Sequence, residues 1–549
     1  MGKNIVICSD GTGNTAIKGR GTNVFKLFEA IDLNGHRTNP HLDPQVALYD
    51  DGVGTGSFMP LKVAGGAFGY GLARNVRNLY KELVRVYDPG DQIHLFGFSR
   101  GAFTVRTLAG MIAKCGVLDR EKLATSEQLQ SAVSKAYRVY RRSYRTWIQH
   151  LFHTILHKAG LRKSDPDVLA AFRQAHSRDC DVRIRFIGVW DTVDAVGGPF
   201  HSSDVINALF HRFKFPDQKL SDKVDCAYQA LAIDEARDAF DPRLWESDPR
   251  IQQVWFSGVH SNVGGGYPKQ GMSLVTLDWM LSAAGANGLR VLERDAVYYS
   301  EHGNVDDKLY DSRAGLGVFY RSKPRGMRDV CESQKAGSPP TIHLSVLERI
   351  AHGTDGYGPG TLAGEASVTF TRSRNPDRTA AAAEDEAASL RSRLAEITLR
   401  QAFAETGASL NAARRTLWLG SVAYYLYVVS CLAVLLFASV PEDNHAITPW
   451  ALLRSASVLA FDVITGQWGP VLKSAVRLVT TPWMIGGLLA AFGLSALLTT
   501  YADRVRSKTF SQFWHTPRQK LREALKESRK QLRAAPKIAG SSSATSARP

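Results

Sequence analysis

Ser99 is the residue around which chemistry can be built. It lies in Gly97-Phe98-Ser99-Arg100-Gly101, a G-x-S-x-G pentapeptide between the apolar run Ile93 to Phe96 and helical material from Ala102 to Ala113. Strand, sharp turn and helix around such a serine make a nucleophile elbow, which raises the hydroxyl over the sheet edge. The pattern alone recurs by chance in a chain with 47 glycines, so the flanking elements carry the reading. A serine needs a base to become a nucleophile, and the base needs a carboxylate to orient it. His260 supplies the base: it follows the apolar run Ile251 to Phe256, in the glycine-rich loop Ser257 to Tyr267. Asp191 supplies the carboxylate, directly after VRIRFIGVW at Val182 to Trp190. Asp194 and Asp234 are reserves for the acid, His343 and His352 for the base. Such a set transfers an acyl group from an ester to the serine and then to water. The oxyanion would meet the backbone N–H of Arg100, at a helix start. A second donor is expected from Gly11 or Thr12, in Ser9-Asp10-Gly11-Thr12-Gly13-Asn14-Thr15. In that loop Asp10 and Asn14 could support the site, and Asp10 could ligate a divalent ion. No cofactor is required, and no metal-ligand set is assigned.

These groups must be carried by elements that end at one edge. Ile5 to Cys8, Val46 to Tyr49, Ile93 to Phe96, Val182 to Trp190 and Ile251 to Phe256 are short apolar runs fit for buried strands. Between the second and third, Leu72 to Val86 places Val76, Leu79, Leu83 and Val86 on one helical face. The alternation predicts an α/β fold with a mostly parallel sheet, helices on both faces and helical insertions. Ligand loops of such sheets follow the strands, as every candidate loop here does. The Asp10 loop has neither the Walker frame nor the dinucleotide fingerprint. A phosphatase reading of Asp10-Gly11-Thr12 would need an aspartate two residues earlier, where Cys8 stands. Tyr137 to Leu161 reads as a helical insert or lid; its His150, His153 and His157 have no interleaved carboxylate and read as surface.

Taken together, SDGTGNT at Ser9 to Thr15, GFSRGA at Gly97 to Ala102, VWDTVDAVG at Val189 to Gly197 and GVHSNVGGGY at Gly258 to Tyr267 resemble one family. It is the α/β-hydrolase domain shared with the type VI secretion phospholipase effectors, and the resemblance runs over roughly residues 3 to 360. It implies an α/β-hydrolase-like fold and a Ser-Asp-His triad, which falls on Ser99, Asp191 and His260. It also implies cleavage of ester bonds, in characterised relatives those of glycerophospholipids. Asn262 stands where the resemblance leads one to expect an acidic residue, which bears on loop or ion contacts and leaves the triad intact.

The remaining chain changes character. The 549 residues carry a net charge of +16, and Asp503 to Pro549 contains twelve Lys and Arg against three Asp and Glu. Six scattered cysteines, with no C-x-x-C, exclude a disulfide framework or a cysteine-rich zinc site. The start of the chain reads as a first strand, without a signal peptide. Trp418 to Val440 and Leu478 to Ala502 are uncharged runs of 23 and 25 residues, and 23 residues of helix reach about 34 Å. They predict a transmembrane hairpin, and the basic flanks outside the pair place the catalytic domain and tail in the cytoplasm of a bacterial cell, at its inner membrane. The predicted organisation is a catalytic domain over 1–375, a charged helical linker over 376–415, a membrane region over 416–502 and a basic tail over 503–549. The implied partners are a lipid or ester substrate and anionic headgroups at the tail; nucleic acid is not expected. The reading is a membrane-anchored serine esterase acting on lipid esters, with a phospholipase as its sharper form. The alternative is a membrane-anchored interaction or secretion-associated protein with a hydrolase-like fold and no turnover.

Overall fold

Asn4–Ser9, the first strand (β1), buries all six of its residues. Its side chains alternate between two cores. Ile5 and Ile7 join one with Val76, Leu83, Leu95 and Leu108. Val6 and Cys8 join the other with Val24, Phe96, Phe186 and Leu277. A strand buried on both faces reads as a continuous apolar run, which is what a sheet covered by helices on each side demands. In a computed structural model of the chain, which describes residues 2–11, 21–51, 67–142, 165–178, 181–194, 218–314, 320, 322–362, 366–370, 391–404, 482–534 and short runs within 422–430, this sheet has eight strands. They are β1, β2 (Gln45–Asp50), β3 (Gln92–Phe98), β4 (Ile184–Trp190), β5 (Ala227–Ala232), β6 (Ile251–Phe256), β7 (Thr341–His343) and β8 (Ser367–Thr369). The order is β2-β1-β3-β4-β5-β6-β7-β8, and every pairing is parallel.

A parallel sheet puts all the carboxyl ends at one edge. Asp10 follows β1, Ser99 follows β3, Asp191 follows β4 and His260 follows β6 by a few residues. The strand order reverses direction between β1 and β3, the position at which open α/β sheets form a crevice. Helices Ala67–Val86, Arg100–Cys115 and Ser126–Arg142 supply the first core, and Asn23–Ala30 with Gly271–Ala286 the second. β5 is the strand that the sequence conceals. AYQALA has no β-branched residue, and Gln229 sits fully buried at its middle. Gln229 is tolerated because its amide bonds to Thr192 Oγ1, the Arg243 carbonyl and Gln253 Oε1; burial between two strands overrides weak intrinsic preference.

The chain divides into two compact units. One comprises Met1–Tyr320, Pro324–Glu405 and Trp514–Pro549, and the other Arg321–Lys323 and Thr406–Phe513. In the first, the stretch expected as a linker includes a helix over 391–404, with Ala395, Leu399 and Ala402 buried. Arg391 pairs with Glu348 at 2.5 Å. In the second, the rings of Tyr427 and Phe492 meet at 6.0 Å.

The expected transmembrane hairpin is overturned. Among the described residues, no helix is long and apolar enough to cross a membrane. The first expected span, Trp418 to Val440, lies mostly outside the described residues. Of the second, Leu478 to Ala502, residues 482–502 lie in the helix Pro482–Ala534, whose 53 residues also include charged sequence. The expectation weighed an uncharged run by itself; in the structure residues 482–502 of that run make up less than half of the helix Pro482–Ala534. The membrane anchor, the inner-membrane placement and the topology deduced from the hairpin fall with it.

The basic tail is also more than a solvated run of charge. Trp514 is fully buried, with its Nε1–H donating to the Pro359 carbonyl at 3.2 Å and its ring 5.6 Å from that of Phe403. Arg518 donates to the carbonyls of Ile350 (3.0 Å), Gly356 (3.2 Å) and Tyr357 (2.9 Å). Arg522 donates to those of Ala351 and, at 2.8 Å, His352. Most of these oxygens close the helix Leu344–His352, whose last carbonyls lack partners within the helix. Two of the tail's cations are thereby committed to capping. Trp514→Ala is expected to lower the unfolding free energy by about 3–5 kcal/mol, read from denaturant midpoints; an unchanged midpoint would mean that the Trp514 contacts contribute nothing to the stability of the first unit.

Candidate active site

The elbow is built as its residue types require. Ser99 has φ 58° and ψ −122°, a conformation that a non-glycine residue adopts only under strain. Its N–H donates to the Trp190 carbonyl at 3.0 Å, which ties the turn to β4. A Cβ on Gly101 would lie 2.1 Å from the Ser9 carbonyl oxygen, and one on Gly97 would lie 2.6 Å from the Gly101 oxygen. Glycine at these positions lets the helix Arg100–Cys115 start directly against the ends of β1 and β3. Arg100 opens that helix, so its backbone N–H belongs to the helix N-terminus; partial burial pushes its guanidinium down to about 10, while Tyr320 opposes the shift.

Asp191 is fully buried at the end of β4 and also has a positive φ, 42°. Four donors converge on its carboxylate. Oδ1 accepts the Ala232 N–H at 3.1 Å and Arg325 Nη1 at 2.6 Å. Oδ2 accepts Arg325 Nη2 at 2.9 Å and lies 2.5 Å from His260 Nδ1. Burial alone would raise this carboxyl, but the Arg325 guanidinium and the hydrogen bond with His260 hold it well below the ordinary range. Because the carboxylate can only accept, the proton of neutral His260 resides on Nδ1, and the lone pair on Nε2. Nε2 is buried and has no hydrogen-bond partner among the described residues. Burial lowers the His260 imidazole below its usual value, against the pull of Asp191.

In the structure His260 opens a short helix, His260–Gly264, where the sequence led one to expect a loop, and this segment is braced from several sides. The His260 N–H donates to Glu235 Oε2 at 3.3 Å. Glu235 is buried, and pairing with Arg237 brings its carboxyl down to about 2 despite that burial. Asp234 Oδ2 accepts the Gly258 N–H at 2.6 Å and the Tyr357 hydroxyl at 2.8 Å. Asn262 accepts from the Tyr310 N–H at 3.3 Å and donates to the Lys308 carbonyl at 3.1 Å, so its amide joins two loops. Phe98 and Phe240 flank the imidazole at centroid distances of 4.6 and 5.0 Å.

The other sequence candidates occupy different places. Asp194 pairs with Arg243 at 2.5 Å. His343 packs on Phe256 at 4.7 Å and bonds Ser345 Oγ at 2.8 Å, with burial pushing it down to about 3. His352 pairs with Asp306 at 2.7 Å. Asp10 accepts the hydroxyls of Thr22 (2.6 Å) and Tyr49 (2.7 Å). Its Oδ1 also takes the Gly11 N–H at 2.6 Å, so the Gly11 donor expected at an oxyanion is spent on Asp10. Thr12 and Asn14 lie outside the described residues, as do His150, His153 and His157. Among the described residues no group of three or more His, Cys, Asp or Glu could hold a metal ion.

Arg325 is the residue that sequence reasoning missed. It stands in RSKPRGM, a stretch with no motif, and only 3% of its surface is exposed. A fully buried cation needs a paired anion, and nothing local names Asp191, 134 residues earlier. Arg325→Ala would strand the Asp191 charge, and a loss of about 3–5 kcal/mol is expected in thermal or denaturant unfolding; a loss below ~1 kcal/mol would show that the pair is not buried as described.

The chain is 28% identical over 275 residues to the uncharacterized protein YEL023C of Saccharomyces cerevisiae, a match covering 48% of this chain and 35% of the yeast protein. It is similar, at 18% identity and a TM-score of 0.29 over 49% of this chain and 51% of the other, to the structure of the Tle1 effector bound to the VgrG spike from the type 6 secretion system. It is also similar to an uncharacterized protein from Pseudomonas aeruginosa, at 17% identity and a TM-score of 0.33 over 73% and 59% of the two chains. Residues 3–283 match the family model described as the catalytic domain of the Tle1-like type VI secretion phospholipase effectors, so the chain belongs to that family.

Proposed function

We propose that the protein is a serine esterase that cleaves carboxylic esters of lipids, with Ser99 as nucleophile, His260 as general base and Asp191 as the acid that orients it. The observation that carries this reading is the His260 imidazole, held through Nδ1 at 2.5 Å from Asp191 while Nε2 is buried and unpartnered among the described residues. His94 Nδ1 is likewise buried without a partner among the described residues, so what sets His260 apart is the Asp191 carboxylate on its other nitrogen. The hydroxyl assigned to Nε2 is that of the strained Ser99 at the elbow, with the hydrogen bond between them to be made when substrate is bound.

The steps follow from these roles. Nε2 takes the Ser99 hydroxyl proton as Oγ bonds to the ester carbonyl carbon, and the carbonyl electrons move onto oxygen. The Arg100 N–H, with the positive end of its helix, stabilises that oxyanion. The tetrahedral intermediate expels the alcohol, which receives the proton from Nε2. Water then repeats the sequence on the acyl-enzyme and releases the acid. Asp191 remains ionised throughout, stabilises the transient imidazolium and prevents the other tautomer. A phospholipid is the sharper form of the substrate reading, and it rests on family membership.

The test is fatty-acid release from phospholipids, lysophospholipids, neutral lipids and short acyl esters, together with labelling by a fluorophosphonate. Ser99→Ala is expected to abolish labelling and to lower kcat by about 10^4-fold or more. Asp191→Asn is expected to lower kcat by about 10^4-fold through the wrong tautomer. A folded protein that neither takes up the label nor releases acid from any ester would remove the triad assignment. Release only from short esters would retain the triad and remove the lipid.

A further inference from the structure

In a bare Asp–His couple, the carboxylate charge favours protonation of the imidazole. Here that charge is met on both oxygens by one guanidinium, through Nη1 at 2.6 Å and Nη2 at 2.9 Å. The guanidinium is itself fixed, since Nη1 also donates to the Ala232 carbonyl at 2.8 Å and Nη2 to that of Phe240. We infer that Arg325 is a positioning residue for the Asp191–His260 couple, locking the carboxylate plane and offsetting its charge so that His260 stays a neutral base into mildly acid solution. This rests on the serine-esterase reading of the same site.

The charges around His260 can be assigned by element. Asp191 comes from the end of β4 and favours the imidazolium. Glu235 and Arg237 come from the segment after β5 and oppose one another, Glu235 favouring the imidazolium and Arg237 disfavouring it. They form their own ion pair at 2.8 Å. The Phe98 and Phe240 rings on either side bring no charge. Arg325 comes from the segment before the helix Met327–Ser333 and acts through Asp191, with Glu235 and Asp241 supporting its own charge. Its guanidinium does not titrate in the working range, so the offset is constant with pH. An arginine fork fixes both charge and plane, whereas a lysine at the same place would bring charge alone. The two roles can therefore be separated.

The experiment follows the rate of fluorophosphonate labelling of Ser99 in the full chain from about pH 4 to about pH 9, for the wild type, Arg325→Lys and Arg325→Gln, each checked for cooperative unfolding. Loss of neutral His260 gives the acid limb. The wild-type limb is expected below the ordinary imidazole value of about 6.5. Arg325→Gln is expected to move it upward by about one pH unit. Arg325→Lys is expected to leave the limb in place and lower the plateau rate by about tenfold or more, because the carboxylate plane is freed. A limb that stays put in folded Arg325→Gln overturns the inference alone. Should Arg325→Gln fail to fold, a wild-type limb at or above about 6.5, or a Lys limb raised by about a unit, overturns it. A wild type that is never labelled removes the esterase reading and this inference together.

Discussion

One carboxylate holds this site together. Asp191 receives two bonds from Arg325, one from the Ala232 backbone and one shared with His260, at a position without solvent access. An ion removed from water loses several kcal/mol of solvation, which only close, well-directed partners can offset. That requirement explains the density of bonds around Asp191. It also ties four parts of the chain to one point: the ends of β4 and β5, the segment after β6 and the segment before the helix Met327–Ser333. Weakening any one of them exposes the others to an unpaired buried charge.

The parallel sheet makes that convergence possible. Each strand delivers the residues after it to the same edge, so Asp10, Ser99, Asp191 and His260 all follow strand ends at one edge of the sheet. Strain is admitted at Ser99 and Asp191, whose positive φ values cost on the order of 1–3 kcal/mol each. The close approach at Gly97 and Gly101 and the buried ion pair hold these conformations against relaxation. Support extends outward in layers. Tyr357 braces Asp234, which braces the histidine loop. Arg518 and Arg522 then close the neighbouring helix Leu344–His352 from a segment that is distant in sequence.

Much of this was legible in the residues. Apolar runs of strand length marked β1, β2, β3, β4 and β6, because burial on both faces leaves little room for polar residues. The elbow was legible because its glycines answer a local steric need. β5 was not, since its alanines and Gln229 acquire their meaning only between β4 and β6. Arg325 was hidden for a related reason: an arginine in a polar stretch looks like surface until its partner is known. The uncharged runs near the C-terminus were read by length, and the structure corrected that reading through the helix to which the second run belongs.

The sequence by itself determined the local matters: which stretches extend, where the elbow turns, and which serine, aspartate and histidine stand at strand ends in an order suited to acyl transfer. These depend on residue type and spacing over a few positions. The tertiary structure alone decided which carboxylate faces the histidine, that an arginine shares it, and that the basic tail caps the helix Leu344–His352. Each of these is a pairing across tens to hundreds of residues. Such pairings are set by the desolvation of charges and orphaned carbonyls in the folded chain, and no local pattern encodes them.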